Sequence, residues 1–421
     1  PQKLAQKDYR MRFLSDYGTI DYHNVSDSTE FQRQISANET EIAAAEREAV
    51  LESIDGILRS QHEPKEDRED KEERCRDPSW VNEKYFSCNQ MHEVVVERPL
   101  ENQEANDKLQ DYDVSYLSHG TFRDAWKFHR QDIPDDFVLK RFMLHKKYNQ
   151  GDLHTIHKEA IIMERLIASP RIMDVYGYCG TSVLVETMAS EIAYSKIILG
   201  DGLASQAELD KLDGVYPKNN LTNSEKLQLS LSMAESLVDL HEFREGGLVV
   251  HSDIHIEQWL VAPDKTLKLN DFNNGHVMRY DLKRQEYCTR HSMYGGTWRA
   301  PEEYDGGAQD ETKDTYAFGN GIYAMLTGLW PFYNDEFNGV DTDTIEDAII
   351  AGKRPFVDER YKQQSFIEKM LVEIMETCWA QDRKDRPSMT WVAEILRKVK
   401  ATAQKKGELE QSRWLHIPMP E

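Results

Sequence analysis

The sequence predicts an α+β fold: a small strand-rich lobe, then a larger helical one, behind a polar and helical N-terminal extension. Three observations carry that prediction. From about residue 110 to 190, short β-branched and aromatic runs recur with one helical segment among them. After Thr222 the apolar residues repeat mainly at the helical period. Strands grouped ahead of helices, rather than alternating with them, mark α+β instead of a parallel α/β sheet.

From Pro1 to about Asn38 there is little apolar periodicity, which predicts a polar arm, and a first residue that is not Met suggests a fragment or processed chain. Between Thr40 and Ser60, Ile42, Val50, Leu51, Ile54, Ile57 and Leu58 recur at helical spacing, so an amphipathic helix is expected, packed on its own domain or on a partner. His62 to Asp77 is a mixed charge run with no core-forming residue, expected as a solvated linker and domain boundary. The expected strands are Val114–Leu117, Phe122–Phe128, Phe137–Leu144, Ile172–Tyr178 and Ser182–Met188, with a helix at Leu153–Ile167. Further helices are expected at Lys226–His241, Asp314–Leu326 and Phe366–Trp379. The predicted units are an extension at 1–77, a lead-in at 78–109, the main domain at 110–400 and a tail at 401–421. Tyr316 to Tyr333 carries no charge, but its glycines, Asn320 and Pro331 favour a buried helix over a membrane span.

The 52 Lys and Arg against 75 Asp and Glu give a net charge of −23. That surface repels phosphate backbones and anionic lipid, so nucleic acid is excluded as a general partner. None of the 5 cysteines forms a CxxC pair, which argues against structural zinc. Cys75 and Cys88 are near enough in sequence to bridge in an oxidising compartment, and the triplets at Asn24, Asn38 and Asn220 fit a secretory history without establishing one. His92 and Glu93 lack a third ligand at a useful spacing.

Chemistry gathers between Val249 and Asn274. Two apolar runs, Trp259–Ala262 and Leu267–Leu269, flank the turn Pro263-Asp264-Lys265, and a hairpin there brings Asp253 and Asp271 together. Two acids beside one hairpin can equally be a solvated loop, and the neighbouring motifs decide between that and a chemical site.

At these residues the sequence resembles the eukaryotic protein kinase family, with a tyrosine-kinase-like flavour in the second lobe. His251-Ser252-Asp253 with Gln258 resembles the catalytic loop H-R-D-x-x-x-x-N, and Asp271-Phe272-Asn273 resembles D-F-G. Phe137-Val138-Leu139-Lys140 is similar to the lysine-bearing strand, and Lys158-Glu159-Ala160 to the helix carrying its ion partner. Trp298-Arg299-Ala300-Pro301-Glu302 resembles the A-P-E segment, while Asp314, Cys378-Trp379 and Arg386-Pro387 resemble later signatures. The likeness covers about residues 110–400.

The resemblance implies a bilobal kinase fold, ATP and Mg as cofactors, a protein substrate with a hydroxyl acceptor, and a monomer. It implies catalytic roles for Lys140, Glu159 and Asp253, with Glu159 as counter-ion of Lys140. It implies nucleotide contacts from Ser118, Gly120, Lys140, Glu186, Met188, Gln258 and Asp271, with Val185 to Met188 as the hinge, and metal ligation by Asp271 and Gln258. Glu302 with Arg386 implies a bracing ion pair, Asp314 a support for the catalytic loop backbone, and His251 a packed loop histidine.

Departures shape the rival readings. The phosphate-covering loop reads Ser118-His119-Gly120-Thr121-Phe122-Arg123, keeping one glycine of three and adding a cation that clasps phosphate or plugs the site. Gln258 stands at the asparagine position, Asn273 at the glycine, Ser252 at the arginine and His255 at a lysine. The rivals are therefore a pseudokinase scaffold with little turnover and a lumenal kinase acting on glycan. Tyr287, Thr289, Ser292 and Tyr294 are exposed-hydroxyl candidates for phosphate. Nothing in the sequence sets the acceptor or the compartment.

Overall fold

The computed structural model describes residues 75–76, 112–120, 122–130, 136–143, 146–147, 149–199, 217–243, 247–333, 337 and 339–410. All fall in one unit, Ile57–Glu421. The polar arm, the Thr40–Ser60 helix and the Cys88–Glu93 segment lie outside the described residues.

The first strand, β1 (Cys75–Arg76), joins a small sheet considered below. β2 (Tyr112–His119), β3 (Arg123–Arg130), β4 (Phe137–Phe142), β5 (Val175–Cys179) and β6 (Ser182–Glu186) form one antiparallel sheet in the order β2-β3-β4-β6-β5. Alternation sorts its faces. The pairs Phe128↔Phe137 and Trp126↔Leu139 share one face, where Phe128, Phe137 and Leu139 form a buried cluster with rings of Phe128 and Phe137 5.3 Å apart. Arg123↔Phe142 and Ala125↔Lys140 share the other, so the register sets Arg123 and Lys140 as diagonal neighbours.

Helix α1 (Gln150–Arg165) follows β4; Asn149 and Asp152 cap it reciprocally, satisfying backbone donors at its start. Its buried stripe includes Ile156, Glu159, Ile162 and Met163. β7 (Ser190–Glu191), β9 (Trp259–Val261) and β10 (Leu267–Leu269) form a second sheet, with the expected hairpin between β9 and β10, and β8 (Val249–Val250) pairs with β11 (His276–Val277).

The large lobe is helical: α2 (Asn223–His241), α3 (Pro301–Tyr304), α4 (Thr312–Thr327), α5 (Thr342–Ile350), α6 (Tyr361–Gln364), α7 (Phe366–Cys378) and α8 (Met389–Lys405). Every residue of α4 from Lys313 to Thr327 is buried, which is why its sequence is uncharged over most of its length. Lys313, buried at its start, pairs with Glu303 at 3.3 Å. No described helix is long and apolar enough to cross a membrane. Helix α4 ends on Gly328 at φ 74°, where a Cβ would lie 2.7 Å from Asn219 N; the left-handed turn and the close backbone both need glycine there. Glu302 and Arg386 pair at 2.6 and 2.7 Å, with the Arg386 side chain fully buried.

Two features depart from the sequence expectation. The charge run expected as solvated linker contributes β1, which pairs antiparallel with β12 (Tyr280–Asp281), itself paired with β13 (Glu286–Tyr287). Backbone pairing needs no apolar side chain, so a hydropathy pattern does not register it. Cys179 and Cys288 are disulfide-bonded, for which the sequence reading gave no expectation, and Cys378 is a buried free thiol; the side chains of Cys75 and Cys88 lie outside what the structure describes.

Candidate active site

The turn Asn270–Asn274, between β10 and β11, organises the cleft. Asp271 opens it in the left-handed region, φ 62° and ψ 68°, at a cost of about 1–2 kcal/mol for a non-glycine residue. Phe272 offsets this by full burial; its ring lies 5.0 Å from that of His251, and α1 packs over the same turn. His251 is itself buried, its Nε2 2.9 Å from Asn270 O, as a packed loop histidine.

Ser252, also left-handed at φ 65°, leads into Asp253. Asp314 on α4 fixes this loop: its carboxylate accepts from His251 N at 2.7 Å and Ser252 N at 2.9 Å. Burial pushes the Asp314 carboxyl up, but the hydrogen bond and charge of His241, with His251 and Lys313, outweigh it and hold it below the usual range.

Asp253 is held from both sides. Asn274 Nδ2 donates to its Oδ2 at 3.0 Å, and Arg299 Nη2 to its Oδ1 at 2.7 Å; Arg299 also donates to Ser252 O. Burial raises the Asp253 carboxyl, yet Arg299, His255, His251 and Asn274 together keep it below the ordinary carboxylate range. It is therefore an anion at neutral pH.

Asp271 accepts from Arg123 Nη2 through Oδ1 at 3.2 Å; its Oδ2 has no partner among the described residues. The Glu159 side chain, fully buried, pairs with Arg123 Nη1 at 2.5 Å. Lys140 donates instead to Asn270 Oδ1 at 2.7 Å, and burial lowers its pKa against the pull of Asp271 and Glu159. The expected Lys140–Glu159 pair is thus replaced by Arg123–Glu159. Both cations face the same side of the sheet, and the longer forked guanidinium reaches the carboxylate first.

Gln258 is buried, its amide nitrogen 2.9 Å from His255 Nε2. His255 Nδ1 pairs in turn with Glu257 at 3.1 Å. The Glu186 side chain accepts from Lys268 at 2.6 Å and from Asp174 N at 2.6 Å, and its backbone N donates to Asp174 O at 3.1 Å. Ser118 is exposed on β2, and a Cβ on Gly120 would meet nothing within 4 Å, leaving open space beside the turn.

The described residues gather no group of three His, Cys, Asp or Glu able to hold a metal by itself. Magnesium does not require one, since it takes one or two carboxylates and completes its shell with water and phosphate. Asp271, a hard oxygen donor with one unpartnered oxygen, fits it, and the Gln258 amide oxygen is the second expected donor.

Of the four residues the sequence reading singled out, Lys140 and Asp253 bond to Asn270 and Asn274 of the turn that carries Asp271, and Glu159 reaches Asp271 through Arg123. That reading gave no role to Arg299, Asn270 or Asn274. The asparagines on both sides of Asp271 were the visible signal, polar groups in a segment otherwise expected to be buried.

Residues 113–398 match the protein kinase domain family. Among similar proteins, cyclic GMP-binding protein C of Dictyostelium discoideum is 24% identical over 64% of this chain and 9% of its own length. Ankyrin repeat and protein kinase domain-containing protein 1 of Mus musculus is 24% identical over 59% of this chain and 30% of its own length. A PTI1-like tyrosine-protein kinase of Arabidopsis thaliana is 22% identical over 81% of this chain and 86% of its own. The chain thus spans less than a third of the first two relatives.

Proposed function

The chain belongs to the protein kinase family, and from that premise we propose that its cleft binds Mg·ATP and transfers the γ-phosphoryl group to a hydroxyl on a protein. The observation that carries this reading is the turn Asn270–Asn274, from which Asp271 offers a free carboxylate oxygen and Asn274 holds the ionised Asp253. Asp253 orients the acceptor hydroxyl and takes its proton as the new O–P bond forms and the bond to the departing ADP breaks. Asp271 and Gln258 hold magnesium, which neutralises phosphate charge when bound. Lys140 and Glu159 brace the cation side of the cleft. Ser118 and Gly120 border the phosphates, and backbone groups of Glu186 and Met188 face adenine. Arg299 supplies positive charge directly beside Asp253.

The test is phosphoryl transfer from Mg·ATP by the purified chain, with Asp253→Asn as control. Turnover that vanishes in the variant is expected. Tight ATP binding without turnover in either protein would instead establish a pseudokinase scaffold.

The disulfide-bonded Cys179 and Cys288 favour a second reading of the setting, an oxidising lumen, in which the acceptor hydroxyl belongs to a glycan. Assaying glycan and peptide acceptors side by side separates the two.

A further inference from the structure

This inference rests on the nucleotide-binding reading and deepens it. In the cleft one guanidinium joins two acids: Arg123 Nη1 lies 2.5 Å from Glu159, and Nη2 lies 3.2 Å from Asp271. Lys140 touches neither acid and donates to Asn270. We infer that Arg123, anchored by Glu159, is the cation that grips the nucleotide phosphates in this chain, while Lys140 braces the Asn270–Asn274 turn.

The geometry of the two contacts supports that division. Arg123 is the first residue of β3, directly behind the turn containing Gly120, and Gly120 N donates to Arg123 O at 2.8 Å. Its guanidinium therefore enters from beneath the loop that borders the phosphates, with the Phe122 ring 5.5 Å from its centre. A guanidinium has five donors in a planar fork and can hold a carboxylate on one edge and a phosphate on another. The anchor to fully buried Glu159 is the short contact. The contact to the part-exposed Asp271 is longer, so Nη2 is the edge of the fork that can turn to a phosphate oxygen while Nη1 stays on Glu159. A lysine ammonium already spent on an asparagine oxygen has less to offer, and the open space over Gly120 leaves room for the anion.

Calorimetric titration of the full chain with Mg·ATP and, separately, with adenosine tests this. The proteins are wild type, Arg123→Met, the charge-balanced Arg123→Met/Glu159→Gln and Lys140→Met. The double variant avoids stranding a buried carboxylate. Both Arg123 variants are expected to bind Mg·ATP about tenfold more weakly or worse, with adenosine affinity held within about twofold, and Lys140→Met to lose less. Unchanged or tighter Mg·ATP binding in the Arg123 variants would mark the guanidinium as a plug and overturn the inference, as would a larger loss from Lys140→Met. Those results leave the nucleotide reading standing. A wild-type chain that binds no Mg·ATP overturns both.

Discussion

Glu302→Ala should unfold the domain early while sparing nucleotide affinity. Arg386, whose side chain is fully buried, gives two hydrogen bonds to Glu302 and the rest to the carbonyls of Ala380, Thr312 and Gln381. Removing the carboxylate strands a buried cation that those dipoles cannot neutralise, a loss of about 3–5 kcal/mol. With about 2.1 cal/mol/K of unfolding entropy per residue, a domain of about 290 residues carries about 0.6 kcal/mol/K, so the melting temperature should drop by about 5–8 °C. Differential scanning calorimetry reads the shift, and Glu302→Ala/Arg386→Leu should fall by less than the sum of the single variants, because the two side chains share one interaction. A Glu302→Ala melting point within about 1 °C of wild type would refute the reasoning: the cation would then not depend on its carboxylate.

Arg299→Ala should move the acid limb of kcat/KM to higher pH. Burial raises Asp253, and Arg299 is the first of the groups that lower it, so activity requiring the anion persists below the ordinary carboxylate range in wild type and is lost earlier as pH falls in the variant. An unmoved limb would remove Arg299 from that role. Reduction with dithiothreitol should lower the melting temperature, since each lost disulfide costs about 2–5 kcal/mol, whereas Cys378→Ser should leave that redox sensitivity in place. Gly328→Ala should destabilise by about 1–3 kcal/mol in urea titrations, from the left-handed φ and the crowded Asn219 backbone; a neutral result would mean the α4 end rearranges cheaply.

Much of the fold was legible because it follows period. The runs beginning at Phe137 and Ser182 became strands, and the helical spacing after Thr222 became α2, α4 and α7, with ends shifted by a few residues where caps such as Thr222 and Ser365 set them. The hairpin that joins Asp253 to Asp271 was readable from its turn residues. The ion pairing was not. Arg123 and Lys140 lie on one face and compete for one carboxylate, and the winner is decided by side-chain length and register rather than by spacing along the chain. Arg299 reaches Asp253 across 46 positions, a contact set by the tertiary path of the segment before α3. The disulfides of Cys179 and Cys288 were invisible for the same reason, since spacing does not choose partners.

The claim on which the account turns is that Asp271 and its neighbours receive a metal-bound triphosphate. Calorimetric titration of wild type and Asp271→Asn with ATP, in magnesium and in EDTA, measures it directly. The account predicts one saturable site that needs magnesium in wild type and loses that dependence in the variant. Equal, magnesium-independent binding by both proteins would contradict it.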